Sequence, residues 1–263
     1  MKIVSLNVFG GTVFEPLMGF VERQALDTDV FCFQEVLDDS RGFPGQVSQG
    51  FRMNLLHELS LRLADFSVYF APMRDLPEVA ADDRPFVRNG LATFVRKGID
   101  VAAHGGFSLC DALLGDDPIG QNALFVTLYT QKKLLTICNV HGISDPGDKL
   151  DTPVRLAQSK NVLEFLATVS GEKMVMGDFN LLPETESVKM FERAGFSNLI
   201  QDYGIRTTRG AHHKILHPEF GIPPMMFQEF ADFTFVSSGV SVQAFAVPDV
   251  PVSDHLPMIL SCS

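Results

Sequence analysis

The sequence predicts an α/β (α+β) chain in which two packed β-sheets carry helices on their outer sides. Three observations predict it. Short apolar runs with strand character outnumber the segments with helical period. Two of those runs, 121–130 and 133–141, are separated only by Gln131-Lys132 and form a hairpin, which a purely parallel doubly wound sheet does not contain. No internal repeat, low-complexity tract or linker interrupts the chain, so residues 1–263 are expected to form a single domain.

Taken in order, residues 2–8 gather Ile3, Val4, Leu6 and Val8 in one short apolar run and read as the first strand, and 18–27 then carries a helical period. Residues 29–36 are β-branched and aromatic behind a leading Asp29, a second strand; helical period returns over 51–64. Strands follow at 89–96 and in the hairpin pair. The helix at 153–169 has the clearest start, with Asp151 or Thr152 as its cap and Pro153 as its first residue. A strand at 173–178, a helix at 186–194 and strands at 230–236, 241–248 and 256–262 complete the chain. Gly10-Gly11 and Gly105-Gly106 lack the pattern of a phosphate-cradling loop and read as turns. Three longer loops, about 37–50, 72–88 and 204–229, are where substrate selection is expected.

The apolar fraction of 46% is that of a chain with a sizeable core. No stretch approaches the roughly 18–20 apolar residues of a membrane span, and Met1 to Asn7 lack a signal peptide's features, so the expected location is the cytoplasm. Cys32, Cys110, Cys138 and Cys262 show no metal-ligand spacing and read as reduced structural thiols. A net charge of −11 disfavours tight binding along a nucleic-acid backbone, which relies on clustered Lys and Arg, but leaves room for a local basic site. A monomer is expected.

Acidic and amide residues recur where apolar strands end. Asn7 ends the first strand, Gln34-Glu35 stands near the end of the second, His141 follows Asn139-Val140, and Asp178 and Asn180 follow Gly177. Asp232 lies among phenylalanines, on the face opposite Phe233 and Phe235 by strand alternation, and an acid there must be paired or bound to stay charged. Ser253-Asp254-His255 precedes the last strand. Singly, each has a plain reading as a turn former or a satisfied loop histidine.

Jointly and in this order, Ser5-Leu6-Asn7, Phe33-Gln34-Glu35-Val36, Asn139-Val140-His141, Gly177-Asp178-Phe179-Asn180, Asp232 to Ser237 and Ser253-Asp254-His255 resemble the motif series of the endonuclease/exonuclease/phosphatase superfamily. The tetrad at 177–180 and the triad at 253–255 are the specific parts; Leu-Asn or Gln-Glu alone would be weak. The resemblance implies a four-layer sandwich, two mixed β-sheets packed face to face with helices on the outside, and a metal site at one rim. It further implies hydrolysis of phosphate esters. Glu35, with Asn7, would hold Mg2+ or Mn2+, and Asp254 would complete the metal shell or hold a metal-bound water. Asp178 would activate the attacking water and Asn180 would hold it. His255, oriented by Asp232, and His141 from the opposite side would stabilise the phosphate. The carboxylate partner of His141 is not identified; residues 82–89 offer candidates without a clear match.

Weaker signals surround this series. Tyr203 to His217 contains no acid yet carries Arg206, Arg209, His212, His213, Lys214 and His217. It reads either as an anion-binding lip, with Arg206, Arg209 and Lys214 contacting substrate, or as a solvated loop. A zinc site from its histidines is disfavoured, because adjacent histidines do not readily share a tetrahedral ion. Arg155 and Gln158 share a helix face and are expected to brace the loops under the site, with direct substrate contact the alternative; Lys149 and Asp151 are expected on a loop bordering it.

Three functions follow. The first is a phosphodiesterase of nuclease type, with nucleic acid among its admissible substrates. The second is a phosphatase or phosphodiesterase acting on a small molecule or lipid head group, which the acidic charge and single basic island favour. The third, an inactive binding module of the same fold, should have lost a site residue, and none of the motif positions has.

Overall fold

The structure is a computed structural model that describes residues 1–39, 45–75, 87–109, 122–130, 133–211 and 228–263. In chain order its first half comprises β1 (Lys2–Asn7), a 3-10 turn (Phe9–Gly11), α1 (Phe14–Gln24), β2 (Val30–Asp38), β3 (Val47–Ser48), β4 (Phe51–Arg52), α2 (Leu55–Arg62), β5 (Phe66–Asp75), β6 (Arg88–Arg96) and β7 (Val101–Ser108). The second half comprises β8 (Asn122–Thr130), β9 (Lys133–His141), α3 (Pro153–Thr168), β10 (Glu172–Asp178), α4 (Glu186–Arg193), β11 (Ser197–Asn198), α5 (Leu199–Asp202), β12 (Asp232–Val236), β13 (Val242–Ala246) and β14 (Met258–Cys262).

Two six-stranded sheets form, ordered β13-β14-β1-β2-β6-β5 and β11-β12-β10-β9-β8-β7. Each is mixed: β1 and β2 pair in parallel in the first, β9 and β10 in the second, and the remaining neighbours are antiparallel. This is the expected sandwich of two mixed sheets. The hairpin pair is β8 and β9, in register from Leu124 opposite Asn139 to Thr130 opposite Lys133; its turn, Gln131-Lys132, lies outside the described residues.

Strand alternation separates the layers. On the first sheet Val4, Leu6, Phe31, Phe33, Ala92 and Phe94 turn outward onto Leu17, Phe20 and Val21 of α1 and Leu55 and Leu59 of α2. Ile3, Val30, Cys32 and Val95 turn inward against the second sheet, whose far side packs Val162 and Leu166 of α3 and Val188 and Phe191 of α4. The inner layer also contains a polar bridge. Gln34 Nε2 donates to Asn139 Oδ1 at 2.7 Å, and Asn139 Nδ2 donates to the carbonyls of Phe33 (3.0 Å) and Ala92 (3.3 Å). One amide pair thus links both sheets and pairs most of its buried polar groups, Gln34 Oε1 being left without a partner among the described residues.

Several expected boundaries need correction. Helix α1 covers 14–24 where the period suggested 18–27, and the expected helix over 51–64 is only 55–62, with Phe51 and Arg52 in β4. β5 and β7 were not foreseen. Gly105-Gly106, read as a turn, lies inside β7 opposite Phe125 and Leu124 of β8. A Cβ at position 105 would approach the Phe125 ring at 3.1 Å, so glycine there serves packing within a strand. Gly10-Gly11 is a turn, as read, with both residues at positive φ. Asp151 and Thr152 divide the capping: Thr152 Oγ1 accepts from Arg155 N at the start of α3, while Asp151 accepts from Glu186 N and Ser187 N at the start of α4.

Cys32, Cys138 and Cys262 are free and buried, and burial pushes the Cys32 thiol up to about 12. Cys110 lies outside the described residues. Among the described residues no helix is long and apolar enough to cross a membrane.

Candidate active site

The site lies at one rim of the inner layer, where β1, β9 and β10 end and β12 begins. Asp178 is opposite His141 in β9 and opposite Asp232 in β12, so three strands of one sheet deliver their polar residues to adjacent positions. The alternation read from the sequence holds: Phe233 and Phe235 turn outward onto Phe179 and Phe191, and Asp232 turns inward. The opposite sheet contributes Asn7 at the end of β1 and Glu35 from β2. Glu35 sits where the pairing of β2 with β6 shifts register between Phe33 and Val36, with its backbone at φ 56°. Such a bulge turns one side chain out of the strand's regular alternation.

Two glycines make the approach of these strands feasible. Gly177 has φ 137°, and a Cβ on it would stand 2.1 Å from the Val140 carbonyl oxygen of the paired strand. At Gly142 a Cβ would stand 2.4 Å from the Phe179 carbonyl oxygen. Both obstacles are backbone, so no rotamer change relieves them.

The Asp178 carboxylate is the centre of the cluster. Its Oδ1 accepts from Asn180 N at 2.8 Å and its Oδ2 from Asn7 Nδ2 at 3.0 Å. The Nε2 atoms of His255 and His141 lie 3.5 and 3.6 Å from Oδ2. Burial by itself would raise the pKa of Asp178; His255, Lys149, His141 and Arg209 together outweigh it and hold the carboxyl well below the ordinary range.

His255 is fixed by Asp232, whose two oxygens lie 3.0 and 2.8 Å from Nδ1. Thr208 Oγ1 holds Asp232 in turn by accepting from its backbone N–H. Burial and the adjacent Arg209 lower the pKa of His255, while Asp232, Asp254 and Asp178 raise it; the carboxylates prevail and the ring titrates above the ordinary histidine value. Ser253 Oγ donates to the Asn7 carbonyl at 2.7 Å and ties the 253–255 segment to the end of β1.

His141 Nε2 lies 3.7 Å from Glu35 Oε1, while its Nδ1 is buried with no hydrogen-bond partner among the described residues. Residues 82–86 of the candidate stretch for its carboxylate lie outside the described residues. Asn7 presents its amide nitrogen to Glu35 Oε1 (2.9 Å) as well as to Asp178, and its Oδ1 accepts from Phe9 N. Asp254 Oδ2 pairs with Arg209 Nη1 at 3.0 Å.

The basic stretch divides. Arg209 reaches the site, pairs with Asp254 and contacts His255 Nε2, whereas Arg206 is exposed. Lys214, His212, His213 and His217 lie outside the described residues. Arg155 braces, as expected: its buried guanidinium donates to the carbonyls of Ile143, Ser144, Pro146 and Leu150, and Gln158 Oε1 accepts from Ile143 N.

One residue of the site was underestimated in sequence. Lys149, expected merely to border it, is buried, with Nζ 2.6 Å from Asn180 Oδ1. Its position between His141 and the α3 cap was the available signal. Three of the five described non-glycine residues at positive φ, Glu35, Lys149 and Asn180, belong to this cluster, and such backbone strain persists where the surroundings over-determine it.

Oxygen and nitrogen donors of Glu35, His141 and Asp178 lie within 4.8 Å of one another, as do those of Asp178, Asp232 and His255. The first group, with carboxylates from both sheets, fits a divalent cation that prefers oxygen. Asn7 would join it through oxygen only with its amide turned over.

A sequence profile of the endonuclease/exonuclease/phosphatase family matches residues 4–255. No curated protein matches. Among solved structures, the chain is similar to an endonuclease/exonuclease/phosphatase family protein from Leptotrichia buccalis (17% identity, TM-score 0.72, covering 100% of this chain and 99% of that one). It is similar to a humanized D. rerio TDP2 (16%, TM-score 0.70, 100% and 98%) and to a mannosyl-6-phosphatase from Bacteroides thetaiotaomicron (15%, TM-score 0.67, 100% and 99%). With the profile match spanning nearly its whole length, the chain belongs to the endonuclease/exonuclease/phosphatase family.

Proposed function

We propose that this chain is a divalent-metal-dependent hydrolase of phosphoester bonds, of phosphodiesterase type, in which Asp178 activates the attacking water. The observation that carries the reading is the convergence on Asp178 Oδ2 of Asn7 from β1, His141 Nε2 from β9 and His255 Nε2 from the segment before β14. A carboxylate held ionised is a proton acceptor at neutral pH, and the imidazoles beside it suit the phosphoryl oxygens.

In this reading Asp178 takes a proton from water, and Asn180 keeps that water in line. His255, with Asp232 supporting its charged form, donates from Nε2 to a phosphoryl oxygen. Arg209 presents a second donor at the same point, so an anion placed between them relieves the repulsion of two cations. His141 approaches from the Glu35 side. Glu35 is the principal anchor for magnesium or manganese, with Asn7 and Asp254 around it; Asp254 would have to share the oxygen it gives to Arg209. When bound, the ion supplies charge neutralisation at the phosphoryl and leaving oxygens.

A second reading, hydrolysis of a compact small-molecule or head-group phosphate, is favoured by the charge distribution. The chain carries −11 overall, and the cations at the described rim, Lys149 and Arg209, are close-set and largely buried. A protein of this fold is a mannosyl-6-phosphatase.

The test is a panel of plasmid DNA, abasic oligonucleotide, RNA, bis-p-nitrophenyl phosphate and phosphomonoesters, with magnesium and then manganese. Nicking of plasmid at low enzyme supports the nuclease type, and turnover confined to small esters supports the second reading. Activity should vanish on chelation and return with either ion. Full turnover in excess chelator refutes the metal dependence; no turnover of any ester leaves the binding-module reading.

A further inference from the structure

We propose that Lys149 is a positioning residue that locks the Asn180 side-chain amide in one orientation, leaving a single amide N–H with a fixed direction to hold the attacking water. The inference rests on the hydrolase reading for its purpose, but the lock itself is a matter of geometry.

Asn180 is gripped on both sides. Lys149 Nζ donates to its Oδ1 at 2.6 Å, and its Nδ2 donates to the Gly142 carbonyl at 3.0 Å. An ammonium only donates and a carbonyl only accepts. Turning the amide over would therefore oppose N–H to ammonium on one side and oxygen to oxygen on the other. Of the two amide hydrogens, one is committed to Gly142, and the other is left with its direction set. Meanwhile Asn180 N donates to Asp178 Oδ1 at 2.8 Å, so the base and the amide keep a constant spacing.

The surroundings are built to deliver the lysine. Lys149 is 7% exposed and has φ 58°, both unusual for this residue type. Its carbonyl accepts from Leu182 N at 3.0 Å, which joins its loop to the strand end that carries Asn180. On the loop's two sides, Arg155 gathers the carbonyls of Ser144, Pro146 and Leu150, and Asp151 holds the start of α4. A purely structural contact would be served as well by an apolar side chain of similar length, without burying a charge. Burial and Arg209 lower the pKa of Lys149 to about 7 against the pull of Asp178, Asp232 and Asp254; Nζ keeps N–H donors for Oδ1 in either form, and when it is a neutral amine, which can also accept, the Gly142 carbonyl still opposes a turned-over amide.

The experiment is a double-mutant cycle read on bis-p-nitrophenyl phosphate, joined to a measurement that needs no turnover. Lys149→Met should lower kcat on the order of a hundredfold with little change in KM, as for a misplaced reacting group. In the Asn180→Ala background the same change should cost almost nothing, because its effect runs through the amide. Lys149→Gln, which still donates, should retain more turnover than Lys149→Met. Multiplicative losses in the double variant, or equal losses for Gln and Met, would overturn the proposal. In 15N-asparagine-labelled protein, the Asn180 side-chain amide should show slow hydrogen exchange that collapses in Lys149→Met; unchanged protection would also overturn it. Wild-type protein without turnover on any ester would refute the hydrolase reading, while the exchange measurement would still decide the lock.

Discussion

Asp232→Asn isolates the support behind His255. The substitution keeps the shape of the side chain and removes its charge, at a position where both oxygens lie within 3.0 Å of Nδ1 and solvent is excluded. A buried hydrogen bond between charged partners contributes about 1.5–3 kcal/mol, and each unit by which the imidazolium is weakened adds about 1.4 kcal/mol. Together the loss should be about 3–4 kcal/mol, or about two to three powers of ten in kcat. The pH profile provides an independent sign. In the proposed mechanism His255 acts protonated, which makes activity full below its pKa and lost as pH rises through it; Asp232 is the foremost carboxylate holding that pKa above the ordinary value. Without it the alkaline limb should move to lower pH. Steady-state kinetics over a pH series, on protein shown to be folded by circular dichroism, measures both. A kcat within about threefold of wild type, together with an unmoved alkaline limb, would refute the reasoning.

Asp178→Asn and His255→Ala should each remove nearly all turnover, about 3–5 kcal/mol of transition-state stabilisation, with the fold intact; unchanged hydrolysis by both on the true substrate would sink the assignment. Gly177→Ala should destabilise by about 3–5 kcal/mol, combining an unfavourable φ with a backbone overlap that only strand displacement relieves, and a urea midpoint close to wild type would contradict it. Lys149 binds its proton more weakly when folded, at about 7, than the roughly 10.4 of an unfolded lysine, so the unfolded chain holds more protons between those values and stability should rise with pH across that window. Lys149→Met should flatten that slope in denaturation series at several pH values, and an unaltered slope would count against the buried charge.

The candidate site was legible because strand ends are legible. An apolar run that stops at an acid or amide announces both the strand and the rim, and alternation alone set Asp232 against Phe233 and Phe235. Edge strands were not. Residues 66–73 of β5 mix buried and exposed positions and include Pro72, beside the register shift at the sheet's outer edge, where proline is tolerated. β7 is Gly-rich and held in place by its pairing to β8, so its own pattern is weak. The bulge at Glu35 and the left-handed backbone of Lys149 have no local signature, since both arise from contacts with distant segments. Helix α3 was found by its start; its buried residues include Arg155 and Gln158, which brace a loop, and Ser159, and these polar groups dilute the apolar stripe.

The Gln34–Asn139 bridge gives the two sheets a common mechanical fate. Gln34 immediately precedes Glu35, and Asn139 stands two residues before His141, so a slip between sheets would break this amide pair as it parted Glu35 from His141 and Asp178. Neither half of the molecule can then be transplanted as a working fragment. Hydrogen exchange should release β1, β2, β9 and β10 in one cooperative opening, since a seam stitched through its middle opens only when both cloths do.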